Sequence, residues 1–205
     1  QSRIVIENIA PQLNCGTIYI KRVVNEIVNI TADVLVDGHD VLQASVLYKH
    51  ESEKKWSETR MQDLGNDGYS ASFITSKQGF YSYKLQGWVD YALNWQHGIE
   101  RKIDDHQHVS SELLEGAELL DNLKGKLSKD EKAYINHLKK IFANKEDYNE
   151  AIQEATSDKL KAIFIAFPEK LLTHTSKELK VYVDREKARL STWYEFLPRS
   201  SSEIE

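Results

Sequence analysis

The sequence predicts an α+β fold, and three observations predict it. Residues 1–103 repeat short runs of alternating apolar residues separated by turn residues. Near Asp104 the hydrophobic period lengthens from 2 to 3.6. Strict alternation then returns at Glu178–Asp184, and a strand standing alone needs a sheet to join. Together these describe an immunoglobulin-like antiparallel β-sandwich with an inserted α-helical bundle. The expected boundaries are residues 1–103 plus 171–190 for the sandwich and 104–170 for the bundle. Residues 191–205 are expected to begin a further domain.

The strands come in order. Ile4, Ile6 and Ile9 open the first, and Val23-Val24 and Ile27 through Val36 follow, the latter with clear alternation. Asp37-Gly38 breaks the pattern before Val41–Tyr48 resumes it, which reads as a hairpin. Lys54–Met61, Tyr69–Ile74 and Phe80–Val89 continue the rhythm. Asn66-Asp67-Gly68 and Gly79 lie between them, where the backbone needs residues tolerant of positive φ. Strand-and-turn spacing of roughly 8–12 residues is that of a sandwich.

Four helical stripes follow. Leu113, Ala117 and Leu120 share a face, as do Tyr134, Leu138, Ile141 and Phe142. Tyr148, Ala151, Ile152 and Ala155 form the third stripe, and Leu160, Ile163, Phe164 and Phe167 the fourth. Ser128-Lys129-Asp130-Glu131 is a capping box, Ser157 is placed to cap the last helix, and Pro168 stops it.

A net charge of −5 with no clustered basic face argues against a nucleic-acid partner, which would need Lys and Arg to displace counterions. No apolar run approaches the ~20 residues that span a bilayer. The single cysteine, Cys15, has no internal disulfide partner, which fits a reducing, cytoplasmic setting. His106-Gln107-His108 beside Asp104 and Asp105 has no third ligand at a recognisable spacing, so it reads as a solvated junction and no metal is expected. Ser, His and Asp are present without a nucleophile elbow, and no catalytic residue is assigned.

Both ends carry a resemblance. Arg3 through Leu13 and the segment Trp193-Tyr194-Glu195-Phe196-Leu197-Pro198-Arg199-Ser200 resemble the α-1,4-glucan:maltose-1-phosphate maltosyltransferases of the α-amylase superfamily. Interior pieces resemble the same family in the same order: Lys21-Arg22-Val23-Val24, Asp37-Gly38-His39-Asp40 and Leu64-Gly65-Asn66-Asp67. Gly87-Trp88-Val89-Asp90 with Trp95, Glu100-Arg101-Lys102, and Val181 with Asp184-Arg185 and Ala188-Arg189 complete the set. Residues 120–175 resemble the family poorly.

The resemblance implies a sandwich interrupted by helices and followed by a catalytic barrel. It also implies maltosyl transfer with retention, by a carboxylate pair about 5 Å apart in that barrel and without a cofactor. On this reading the chain is a non-catalytic scaffold and dimerisation region of a homodimeric, cytoplasmic enzyme. Trp193, Tyr194 and Phe196 are its expected docking surface for the barrel. Trp88 and Trp95 are candidate contacts for an α-glucan, because aromatic faces stack on sugar rings. The alternatives are a stand-alone glucan-binding or interaction module, or the front end of another amylase-superfamily enzyme.

Overall fold

The computed structural model describes residues 4–186. The first strands are β1 (Ile4–Ala10), β2 (Ile20–Val23), β3 (Ile27–Val36), β4 (Leu42–His50) and β5 (Ser57–Arg60). The next are β6 (Gln62–Gly65), β7 (Gly68–Ile74) and β8 (Gly79–Val89). Five helices follow: α1 (Tyr91–Asp104), α2 (Ser110–Asp121), α3 (Lys129–Ala143), α4 (Tyr148–Ala155) and α5 (Asp158–Ala166). β9 (Leu171–Thr175) and β10 (Leu179–Asp184) end the described chain.

The strands form two sheets that are antiparallel at every pairing but one. The smaller runs β1-β3-β7-β6; the larger runs β2-β10-β8-β4-β5, with β9 also beside β8. Alternation decides which side chains meet. Val28, Ile30, Ala32 and Val34 of β3 face Tyr81, Tyr83, Leu85 and Val89 of β8 within one hydrophobic cluster. Each such aliphatic side chain, once buried, contributes about 1.5–3 kcal/mol. At Gly87 the facing sheet lies close: an added Cβ would sit 3.1 Å from Val34 and 3.3 Å from Ile4.

Four features differ from the sequence reading. First, Asp37-Gly38 does not close a hairpin. β3 pairs with β1 and β7, whereas β4 pairs with β8 and β5, so this turn carries the chain from one sheet to the other. Second, the run ending at Met61 is not one strand's surroundings but a crossing. β5 lies in the larger sheet and β6 in the smaller, with Met61 buried between them. Third, β10 pairs antiparallel with β8 but parallel with β2, in register Val181 with Ile20. Fourth, residues 91–103 are helical, so the helices start at Tyr91 and not near Asp104. The tight hairpin is β6–β7, where Asn66 (φ 49°) and Asp67 (φ 63°) make the two-residue turn with positive φ that matches strand twist.

The helices enclose a second hydrophobic cluster, with Trp95, Leu138, Phe142, Leu160 and Phe164 at its centre. The Trp95 ring packs edge-on against Phe164 at 6.1 Å. The four stripes coincide with α2 to α5. Ser128 and Glu131 form the reciprocal capping box of α3, and the Ser157 hydroxyl accepts from Leu160 N at the start of α5. No helix among the described residues is long and apolar enough to cross a membrane.

Candidate functional site

A concentration of partly buried charge lies where the larger sheet meets the helices. Residues 81, 83, 85, 87 and 89 of β8 point into the sheet core, so Trp88 points out of the sheet towards the helices. It is 0 % exposed. Two cations cover its ring: the Arg60 guanidinium at 4.6 Å from the centroid and the Lys170 ammonium at 4.5 Å. Such contacts contribute about 0.5–2 kcal/mol each, more as they lose water.

Those cations also tie elements together. Arg60, at the end of β5, donates from Nη2 to the Ile165 carbonyl of α5 at 2.7 Å. Lys170, just before β9, donates to Glu58 Oε1 at 2.7 Å and to Gln86 Oε1 at 3.2 Å. Glu58 also accepts from the Ser45 hydroxyl at 2.7 Å. Burial pushes the Glu58 carboxyl upward, but the bonds from Lys170 and Ser45 outweigh it and hold it below its ordinary value. Burial lowers the Arg60 guanidinium, against the fields of Glu58 and Asp90.

Asp90 marks the turn from β8 into α1. Its Oδ1 accepts from Leu93 N at 3.0 Å as the N-cap of the helix, and the residue is 2 % exposed. Burial raises its pKa, against the Leu93 hydrogen bond and the charge of Arg60. One turn on, Asn94 accepts from Val41 N at 2.6 Å and donates to Asp40 at 3.2 Å. Gln96 donates to the Ala155 and Ser157 carbonyls. These polar groups are engaged in capping α1 and in holding it to the loop before β4 and to the turn between α4 and α5. The arrangement fixes orientation; it contains no nucleophile paired with a base.

The residues singled out in the sequence are scattered. Trp88 lies in this junction. Trp95, 7 % exposed, is in the helical core with its Nε1 donating to the Glu112 carbonyl at 2.7 Å. Both indoles are buried, and Trp95 also lines the groove between α1 and α2. Trp193, Tyr194 and Phe196 lie outside the described residues. The His108 ring stacks on Tyr148 at 4.6 Å, and no group of three or more His, Cys, Asp or Glu among the described residues could hold a metal ion. Cys15 is exposed with a free thiol. Arg60, Glu58 and Lys170 were not legible as a site: no local pattern links Arg60 to a carbonyl 105 residues away.

The two turns that carried much of the family resemblance converge in space. Gly38 and Asp40 from one, and Gly65, Asn66 and Asp67 from the other, line a single pocket beside His97. Residues 2–185 match the family described as alpha-1,4-glucan:maltose-1-phosphate maltosyltransferase, domain N/S. The chain belongs to this family.

Relatives bearing the maltosyltransferase name match along nearly the whole chain. That of Chlorobaculum tepidum is 37% identical over 98% of this chain, and that of Methylacidiphilum infernorum 32% identical over 100%. That of Myxococcus xanthus is 33% identical over 97%. The match covers 30%, 30% and 31% of those proteins respectively, so the chain spans about three-tenths of a maltosyltransferase relative. The N/S match of the maltosyltransferase family includes the helical stretch where the sequence resemblance was poor, as well as every strand of both sheets.

Proposed function

We propose that this chain is the non-catalytic N-terminal scaffold and dimerisation region of a retaining maltosyltransferase that extends α-1,4-glucans from α-maltose 1-phosphate in the cytoplasm. The observation that carries this reading is the match of residues 2–185 to the N/S domain, in a chain spanning three-tenths of its relatives. On this reading the two sheets are an immunoglobulin-like sandwich, and the helices from Tyr91 to Ala166 are its insertion. The catalytic carboxylates belong to a barrel in the remaining seven-tenths, and Trp193, Tyr194 and Phe196 contact it. The barrel's chemistry depends on reacting groups held in place, and a rigid support contributes to that placement.

The buried polar groups favour this role: Arg60 fastens β5 to α5, Asp90 caps α1 where it leaves β8, Asn94 holds α1 to the loop before β4, and Gln96 holds α1 to the turn before α5. The test is to assay the protein encoded by the whole gene, and this chain alone, for maltosyl transfer with release of inorganic phosphate. Transfer by the longer protein and none by the chain is expected, with sedimentation showing the longer protein as a dimer. Maltosyl transfer by the chain alone, or a longer protein that neither transfers nor dimerises, overturns the reading.

A further inference from the structure

Between α1 and α2 runs a groove of about 490 Å³. Its walls combine apolar and hydrogen-bonding groups. Tyr91, 40 % exposed, presents a ring on one side, and Leu119 and Leu171 supply further apolar surface. Glu115, Asn122 and Glu169 add polar lining.

A small cavity adjoins the groove. It shares Tyr91, Leu119, Asn122 and Glu169 with the groove, and Asp90 also lines it. At about 10 Å³ it has room for one water or one hydroxyl. The Asp90 Oδ2 atom is buried without a well-formed hydrogen bond, whereas Oδ1 accepts from Leu93 N and the Ala92 N–H lies close enough to stabilise the carboxylate. An acceptor in that situation costs free energy until a donor reaches it.

Gly98 is a second, independent sign. It lies inside α1, where glycine is unfavourable, and it lines the groove. A Cβ added there would meet nothing within 4 Å, so packing does not demand glycine. Gly116 in α2 is the contrast: its Cβ would collide with the Trp95 ring. Glycine at 98 leaves the groove open.

Charge restricts the occupant. Lys102 pairs with Glu112, Glu115 and Glu169 add two further carboxylates to the lining, and Asp90 lies behind. A phosphorylated ligand is repelled. A neutral ring bearing many hydroxyl donors is accommodated.

We propose that the α1–α2 groove binds a neutral saccharide, a segment of α-1,4-glucan, with a sugar face on Tyr91 and one hydroxyl donating to Asp90 Oδ2. The identity of the sugar rests on the maltosyltransferase reading; the preference for a neutral polyol rests on the groove. The site takes the glucan and refuses the sugar phosphate.

The test is a ligand-observed NMR titration of this chain with maltoheptaose, repeated on Gly98→Leu and Tyr91→Ala, with maltose and α-maltose 1-phosphate as competitors. Saturable binding is expected, weakened about tenfold or more in both variants. Maltose competes and its phosphate does not. Gly98→Leu retains or raises the melting temperature, which separates a blocked groove from a damaged fold. Three results overturn the proposal: no saturable binding, binding indifferent to Gly98→Leu, or stronger competition by the phosphate. An absence of binding in which Gly98→Leu instead weakens self-association assigns the groove to a second copy, and also overturns it. Maltosyl transfer by the longer protein without glucan binding here overturns the groove alone. Glucan binding without transfer overturns the functional reading alone.

Discussion

At Gly116 a single hydrogen in place of a side chain lets the Trp95 ring lie against α2. A methyl group there would meet three atoms of that ring, which Phe142 and Phe164 hold from other sides. Gly116→Ala is therefore expected to destabilise by about 1–3 kcal/mol through overpacking, outweighing the helix-propensity gain of about 1 kcal/mol. Chemical denaturation reads this directly. Asp90 makes a prediction in pH. Burial raises its pKa in the folded state, so its contribution to stability is fullest below the unfolded pKa and is lost as pH rises through the folded one. Asp90→Asn keeps the cap acceptor and removes the charge. The variant should gain on the parent as pH rises from about 3 to 7, and paired denaturation curves at both ends check the sign. Single residues were the least legible scale in the sequence. Trp88 and Trp95 stood out as aromatic, but which face each ring shows depends on partners such as Lys170, far along the chain.

Elements were more legible where a local device announces them. The Ser128–Glu131 capping box is such a device, and both of its hydrogen bonds are present. Ser128→Ala should cost about 1 kcal/mol, with the loss of protection in amide exchange concentrated in the first turn of α3. α1 was misread because Trp95, His97 and Gly98 are indifferent or poor helix formers, and the apolar alternation of β8 runs up to Val89. The available signal was Asp90 as N-cap before Leu93, Gln96 and Ile99, all buried at helical spacing. The Asp37-Gly38 turn taught a different lesson. Turn residues mark where a strand ends, but not whether the next strand pairs beside it or faces it from the other sheet. Hydrogen-bond partners decide that, and they are set by tertiary packing. β9 gave no pattern at all, since every one of its residues is exposed.

For the whole molecule, the question is how two hydrophobic clusters act as one body. Arg60 bridges them, from a β5 position to the end of α5, across the Trp88 ring. Arg60→Ala removes a charged hydrogen bond and a ring contact, so a loss of about 1.5–3 kcal/mol is expected. The distribution of that loss distinguishes a bridge from a local prop. Amides of α5 and β9 should exchange faster, while β3 in the distant sheet keeps its protection. Uniform loss across both sheets would argue against the bridge. The overall class, strands then helices then a returning strand, was readable because two periodicities differ plainly. The sheet order was not, since it depends on contacts between residues as distant as Tyr81 and Val181.

Val89, the last residue before the helices, is the register partner of Leu171, the first strand residue after them. The chain thus leaves and rejoins the sheet one strand spacing apart, about 4.7–4.9 Å. In engineering terms the helices are a cassette with adjacent sockets. Replacing residues 90–170 by an Asn-Gly turn would join β8 to β9 as a plain hairpin, without asking any other strand to move. The shortened protein should keep its sheet signal in circular dichroism. It would also uncover Trp88, whose fluorescence would shift to the red, and it would need a polar residue at that position to stay dispersed. Seen from lineage rather than laboratory, the same adjacency allows helices to be gained, lengthened or exchanged while the strands beneath keep their pairing.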